Sequence, residues 1–179
     1  MAIKGSGASK STVKKISEFV TPLVEELGYF VWDLEYLKEG PTRILRLTID
    51  SEDGITIDDC EKVSRAVSDL LDERDPIEES YTFQVSSPGI ERELKTAMHV
   101  EACEGWDVEV RFYAPMAELG GIKCLSGVLG GYDDDGRIVI YTGERTPYSE
   151  DATEEESFEL VALDPEKIAG IKTVYDFDF

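Results

Sequence analysis

Residues 45–71 read LRLTIDSEDGITIDDCEKVSRAVSDLL, a stretch in which the spacing of the apolar residues changes once. Leu45, Leu47 and Ile49 alternate with other residues, and this two-residue period is typical of a strand with one buried face. From about Ile57 the apolar residues recur every three or four places, as they do on the inward face of a helix: Cys60, Val63, Val67, Leu70 and Leu71. The stretch therefore predicts a strand, a turn and a helix.

The turn in this stretch begins and ends like a calcium-binding loop. Residues 50–61 carry acidic residues at the first, third and last places of the window, as an EF-hand loop does. An EF-hand loop needs glycine at its sixth place, however, and Gly54 is at the fifth. Thr56 followed by Asp59 is typical of a helix N-cap with an acidic partner. We expect a turn at Asp53-Gly54, a capped helix and no calcium site.

The flanking segments extend this unit in both directions. Residues 10–27 have helical apolar spacing with Gly28 as a stop, while Pro22 predicts a kink or a later start. Phe30, Trp32, Leu34 and Tyr36 then alternate with Val31, Asp33 and Glu35, and the Gly40-Pro41 turn joins this strand to residues 44–49. Tyr81, Phe83 and Val85 mark a third strand. The first half is predicted to be α-β-β-α-β.

The second half of the chain consists mainly of short predicted strands. One short helix is expected at about residues 97–103, followed by strands at 106–113, 125–130, 137–142 and 157–161. Residues 133–136, Asp-Asp-Asp-Gly, supply a turn between the second and third of these strands. Several short strands of this kind indicate a small barrel. The acidic run at 150–156 is expected to be a solvated loop, with a binding site for a basic partner as the alternative.

Charge limits the classes of partner. The chain has 18 basic and 39 acidic residues and a net charge of -21. Residues 1–90 hold 10 basic and 18 acidic residues (-8), and residues 91–179 hold 8 and 21 (-13). Broad electrostatic binding of nucleic acid is therefore not expected, whereas basic partners are. No apolar run is long enough to span a membrane and the opening MAIKGSGASKS lacks a signal-peptide core, so we expect a cytoplasmic protein.

No pattern of catalytic or metal-binding residues is apparent in the sequence. Cys60, Cys103 and Cys124 are far apart, which argues against a disulfide framework or a Cys-x-x-Cys metal site. A single histidine, His99, excludes a paired-histidine zinc site and is expected at the surface or in packing. The G-x-x-G of residues 127–130 lies in a predicted strand, so it does not indicate a KH loop. We expect no enzyme and no cofactor.

A second stretch, VSSPGIER at residues 85–92, combines dense turn chemistry with an acidic-then-arginine pair. Together with residues 45–77, it resembles the ribosome maturation factor family RimP. The resemblance covers most of residues 20–95, and it continues more weakly through GWDVEV at 105–110 and a closing segment that leads to Ile168. It implies an α+β protein with an N-terminal α/β domain at 1–90 and a C-terminal SH3-like or Sm-like β-barrel domain at 91–179.

The resemblance also implies a function. It implies a cytoplasmic, non-catalytic factor that binds the immature small ribosomal subunit and assists its assembly, with small-subunit ribosomal protein twelve as the basic partner and limited contact with small-subunit ribosomal RNA. Two other classes stay open: a general RNA-binding module that uses its barrel, and a hydrolase with an acidic site. The chain departs from the family at Glu93, where proline is common, and in its long acidic barrel loops.

The candidate site residues are Ser86, Ser87, Pro88, Gly89, Ile90 and Arg92. Pro88 fixes one backbone dihedral and Gly89 permits a positive one, while the serines can cap neighbouring amides. Two roles are open for the segment: it sets the angle between the domains, or it contacts ribosomal protein or RNA directly through Arg92 and the serines.

Overall fold

The computed structural model describes residues 7–144, 146–149, 152 and 158–175. Within it the chain divides into two compact units, Met1–Pro88 and Gly89–Phe179. Of the predicted acidic loop at 150–156, only Ala152 lies within the described residues.

The first helix, α1, spans Gly7–Glu26 and buries Ile16, Val20 and Val24 on its predicted inward face. Pro22 lies inside the helix at an exposed position. The helix thus continues through the proline, and the expectation of a later start is wrong. It ends in a reversal at Gly28, whose φ of +92° favours glycine. There the N–H of Tyr29 donates to the carbonyl of Val24 at 3.1 Å.

Three strands form the sheet of the N-terminal unit. Strands β1 (Phe30–Glu39) and β2 (Thr42–Asp50) form the predicted antiparallel hairpin around Gly40 and Pro41. Strand β3 (Thr82–Ser86) pairs with β2 in parallel, which gives the order β1-β2-β3. The crossover between the parallel strands is helix α2 (Ile57–Arg74). The α-β-β-α-β order predicted from the sequence is confirmed.

A bulge in β1 changes which side chains face the helices. The pairing with β2 shifts between Val31 and Asp33, so Trp32 is the extra residue. Val31 therefore packs with Leu34 and Tyr36 against the core. Trp32 is 6% exposed but does not belong to this core cluster, so the alternation seen in the sequence is interrupted at the bulge.

The core of the N-terminal unit lies between the sheet and the two helices. Its buried members come from both helices, from β2 and from the turn before β3: Ile16, Val20, Val24, Leu45, Leu47, Ile49, Val63, Val67, Leu71 and Ile77. Each helical residue in this set follows the three-or-four spacing of the sequence. Cys60 and Leu70, which the same spacing predicts to be inward, are only half-buried.

The C-terminal unit contains a short helix, α3 (Ala97–Ala102), and five strands: β4 (Asp107–Met116), β5 (Ile122–Tyr132), β6 (Ile138–Tyr141), β7 (Leu160–Leu163) and β8 (Ile168–Thr173). All pairings are antiparallel, in the order β7-β6-β5-β4-β8. The α+β class and the downstream antiparallel sheet are confirmed. Among the described residues the sheet is open, because no ladder joins β7 to β8.

The observed strands of this sheet match the strands predicted from the sequence to different degrees. The four predicted strands are present, although β7 begins at Leu160 and not at residue 157, which is outside the described residues. The turn between β5 and β6 is also as predicted, with the N–H of Gly136 bonded to the carbonyl of Asp133 at 2.9 Å. Strand β8 was not among the predicted strands.

Candidate functional site

The joining segment, Ser86 to Arg92, passes from the last strand of one unit to the first residues of the other. Ser86 ends β3, where it lies opposite Thr48 of β2. Ser87 is exposed, and neither serine hydroxyl has a hydrogen-bond partner among the described residues. The expected capping of neighbouring amides by these serines is thus not seen, and both hydroxyls are open to other contacts.

Gly89 has the positive dihedral that the sequence predicts. Its φ is +78°, and a Cβ added there would meet no atom within 4 Å. The requirement for glycine is therefore conformational, since an L-residue with a side chain is strained at this φ wherever the surrounding space is empty. The turn at Gly89 directs the next residues along β8.

Thr173, at the end of β8, holds the segment that follows Gly89. It is 1% exposed. The N–H of Arg92 donates to the Thr173 hydroxyl at 2.7 Å, and that hydroxyl donates to the carbonyl of Ile90 at 3.0 Å. The N–H of Thr173 donates in turn to the carbonyl of Arg92 at 2.9 Å. One buried threonine thus fixes three backbone groups of the joining segment.

Contacts on either side extend this attachment. Glu91 forms an ion pair with Lys172, and the N–H of Leu94 donates to the carbonyl of Ile171 at 2.9 Å. A bridge between Glu93 and Lys172 completes the antiparallel pairing along β8. Residues 91–94 therefore cover the edge of β8 that β4 does not use.

The Arg92 side chain lies against its own unit. Its Nε donates to the carbonyl of Gly89 at 3.0 Å, and its guanidinium carbon is 5.1 Å from the centre of the Trp106 ring. A cation at this distance from an aromatic face is attracted to it. The structure thus brings Gly89, Ile90 and Arg92 together around Thr173 and Trp106, and it places Ser86, Ser87 and Pro88 in the N-terminal unit.

Three residues next to these contacts expose apolar side chains. Ile90, Trp106 and Val174 are 53%, 41% and 41% exposed. Val174 follows Thr173 directly and donates its N–H to the carbonyl of Asp107, next to Trp106. Sequence reasoning named Ile90 and Arg92 but missed Trp106 and Thr173, because only the pairing with β8 brings these residues to the segment.

In the N-terminal unit, the turn before α2 forms a helix cap. The Thr56 hydroxyl accepts from the N–H of Asp59 at 3.3 Å, and the Asp59 carboxylate accepts from the N–H of Thr56 at 2.8 Å. The Tyr29 hydroxyl donates to the same carboxylate at 2.5 Å. Hydrogen bonds from Thr56 and then from Tyr29 lower the pKa of Asp59 from 3.8 to about 2. The capping interpretation is confirmed.

His99 and the glycines of β5 have structural roles. His99 is 1% exposed, and its Nδ1 accepts from the N–H of Lys95 at 3.1 Å. Of the two roles expected from the sequence, surface or packing, His99 therefore has the packing role. Gly127 lies in β5, where a Cβ would be 2.3 Å from the carbonyl oxygen of Tyr141. The first glycine of the G-x-x-G thus permits close approach of β6 and forms no KH loop.

In residues 7–144, 146–149, 152 and 158–175, no three His, Cys, Asp or Glu side chains are grouped so that they could hold a metal ion. None of the helices described is long and apolar enough to cross a membrane.

Residues 19–91 match the family model of the RimP N-terminal domain. The matched range begins inside α1 and ends within the joining segment, so it contains the whole three-stranded sheet and α2.

Proposed function

Because this chain belongs to the RimP family of ribosome maturation factors, we propose that it binds the immature small ribosomal subunit and assists its assembly without catalysing a reaction. The family match over residues 19–91 is the observation that carries this proposal. The proposed compartment is the cytoplasm, which membership of this family implies.

The charge of the chain supports a basic protein as the direct partner. Net charges of -8 before residue 91 and -13 from there onward repel a phosphate backbone and attract basic ribosomal proteins. On α2 and just after it, exposed acidic residues outnumber exposed basic ones: Asp58, Glu61, Asp69, Asp72, Glu73 and Asp75 against Lys62, Arg65 and Arg74. We propose small-subunit ribosomal protein twelve as that partner, with limited contact to small-subunit ribosomal RNA.

The joining segment has two proposed roles, which its contacts support to different degrees. The backbone of Ile90 and Arg92 is bonded to Thr173, and the Gly89 carbonyl accepts from the Arg92 side chain, which favours a positioning role. The open hydroxyls of Ser86 and Ser87 and the exposed side chain of Ile90 remain available for direct contact. We propose that the segment mainly sets how the two domains are presented to the subunit.

The proposed fold of the C-terminal domain is the SH3-like or Sm-like barrel that the family implies. Strands β4 to β7 pair in sequence order, and β8 returns to β4 after a 3-10 turn at Pro165–Lys167. This order supports the proposal, and closure would require contact between β7 and β8. Slow hydrogen exchange at the outer amides of β7 would test that closure, because residues 91–94 already pair with the outer edge of β8.

The proposed domains are residues 1–90 and 91–179, each folding separately. A fragment that begins at residue 91 lacks the Ile90 carbonyl that Thr173 bonds, whereas one that begins at residue 89 retains it. We therefore expect both fragments to fold and the longer one to unfold at a higher urea concentration. An unfolded 89–179 fragment would contradict separate folding.

The test of function is sedimentation with separated small subunits, separated large subunits and naked small-subunit ribosomal RNA. The protein should co-sediment with free small subunits and not with large ones, and the naked RNA should be held poorly. Rising salt should weaken binding to the subunit, because opposite charges carry the attraction. Equal binding of subunit and naked RNA would mean that the partner is RNA, and binding to neither subunit would refute the proposal.

A further inference from the structure

The first half of helix α1 has a local charge opposite to that of the chain. Residues 1–17 contain four lysines and no acidic residue, so their formal charge is +4. Residues 18–179 contain 14 basic and 39 acidic residues, which gives -25. Three of the four lysines, Lys10, Lys14 and Lys15, lie in the described part of α1, and all three are exposed. The helix therefore presents a small cationic surface on a strongly acidic protein.

These three lysines have no partner within the described part of the chain. Most other cations of that part pair with a carboxylate or lie over an aromatic ring, as Arg43 does with Glu79 and Lys62 does with Tyr29. In residues 7–144, 146–149, 152 and 158–175, five lysine side chains make no ion pair, hydrogen bond or ring contact: Lys10, Lys14, Lys15, Lys38 and Lys123. Three of these five lie within six residues of α1, so their charges are available to an anion.

A fourth cation, Arg74, extends this surface to the end of α2. Its guanidinium carbon lies 5.8 Å from the centre of the Phe19 ring, and Phe19 stands one turn after Lys15 on α1. Glu73 and Asp75 flank Arg74 in the sequence, but neither of these described side chains forms an ion pair with it. Cations of both helices thus contribute to the same side of the N-terminal unit.

Local helix stability does not account for the lysines of α1. The macrodipole favours acidic side chains at the start of a helix and basic ones at its end. Helix α1 has no acidic residue in its first turn, and Glu25 and Glu26 stand in its last turn. Glu18 follows Lys14 by four residues, the less favourable order for such a pair, and these two described side chains form no ion pair. The charges do not stabilise the helix, which favours a role in binding.

The environment of the lysines fits RNA better than a membrane. Basic helices that bind lipid insert an apolar face into the bilayer surface. In α1 that face is occupied, because Ile16, Val20 and Val24 are each 0% exposed in the core. The exposed residue between the lysines is Ser11, which is polar. Lysines beside a polar side chain suit a phosphate backbone, to which lysine binds as a point charge.

We propose that Lys10, Lys14 and Lys15 contact the phosphate backbone of small-subunit ribosomal RNA when the protein is bound to the subunit. This inference rests on the proposed function and assigns its limited RNA contact to the first half of α1. The three lysines precede residues 19–91, which match the family model, so family membership does not imply the contact. Naked RNA alone is held weakly, because residues 18–179 repel phosphate.

The first test is the salt dependence of binding to free small subunits, measured by co-sedimentation. Each lysine that neutralises a phosphate contributes about one to the slope of the log association constant against log salt concentration. The double variant Lys14→Gln, Lys15→Gln should therefore lower that slope by about two and weaken binding at low salt at least about tenfold. Its midpoint of urea unfolding should not fall, because the lysines do not stabilise the helix. Lys38→Gln is the matched control, since Lys38 is an exposed lysine of β1 in the same unit, and it should bind as the wild type does.

The second test is a photo-crosslink that identifies the component next to α1. Ser11 is exposed between the lysines, so Ser11→Cys in a Cys124→Ser background can carry a benzophenone group at this surface. In the complex with the small subunit, this group should cross-link to ribosomal RNA. The Cys124→Ser protein treated in the same way gives the background from the two remaining cysteines, Cys60 and Cys103.

The outcomes separate this inference from the proposed function. A wild type that binds no small subunits refutes the proposed function and, with it, this inference. A wild type that binds, with an equal affinity of the double variant at every salt concentration or an equal loss in Lys38→Gln, refutes the RNA contact alone. Cross-linking to ribosomal protein and not to RNA would also overturn the contact, as would tighter binding of the wild type to phosphatidylglycerol vesicles than to subunits.

Discussion

The attachment of the joining segment to β8 should depend on one hydroxyl group, that of Thr173. Valine has nearly the same shape as threonine and lacks the hydroxyl, so Thr173→Val removes the hydrogen bonds to the Arg92 N–H and the Ile90 carbonyl without opening a cavity. The bond from the Thr173 N–H to the Arg92 carbonyl is retained. We expect residues 89–92 to open more often while the sheet stays folded.

The expected decrease in the free energy of local opening follows from the loss of these two hydrogen bonds. Each contributes about 1 kcal/mol net, and a buried donor left without a partner costs about 1–3 kcal/mol. Ile90 is 53% exposed, so water is expected to replace the partner of its carbonyl, whereas the part-buried Arg92 N–H loses more. A total of about 2 kcal/mol corresponds to a roughly thirtyfold increase in local opening.

Amide hydrogen exchange measures this opening directly. The Arg92 amide should exchange roughly thirtyfold faster in Thr173→Val, while amides of β4 and β5 change little. Thr173→Ser is the matched control, because it keeps the hydroxyl and loses one methyl group, for which about fourfold is expected. If Arg92 exchanges at the wild-type rate in Thr173→Val, or faster in the serine variant than in the valine variant, the hydroxyl does not hold the segment.

Three further outcomes are expected. Gly89→Val should weaken co-sedimentation with small subunits while both units stay folded, because φ +78° costs an L-residue about 1–2 kcal/mol, and Gly89→Ala should lose less. Asp59→Asn should flatten the pH dependence of urea unfolding: the folded pKa of Asp59 is lowered from 3.8 to about 2, so its stabilisation is complete above about pH 4 and is lost as the pH falls toward 2. Leu45→Ala should lower the free energy of unfolding of the N-terminal unit by about 2–5 kcal/mol, since Leu45 is 0% exposed.

The features that were predictable from sequence are those with local causes. The helical period of α2 and the Thr56 cap depend on residues three or four places apart, and both are present in the structure. The positive dihedral at Gly89 was also predictable, because a proline followed by glycine in a dense run of turn residues restricts the backbone in a known way.

The features that were missed depend on distant partners. Strand β8 has only Ile171 and Thr173 as buried residues, too few for a clear alternation, and it is defined by its pairing with β4 and with residues 92–94. The bulge at Trp32 likewise results from the register with β2, which no pattern within β1 reveals.

The pairing between residues 91–94 and β8 also bears on the order in which the chain folds as it leaves the ribosome that makes it. The core of the N-terminal unit is complete once residue 85 has emerged, whereas the first residues of the C-terminal unit wait for partners about eighty positions later. Until β8 arrives, β4 has a free edge and residues 91–94 have no strand to join. We therefore expect the nascent chain to pass through a stage in which the N-terminal unit is folded and the C-terminal unit is not, and a translational pause before β8 would prolong the exposure of that edge.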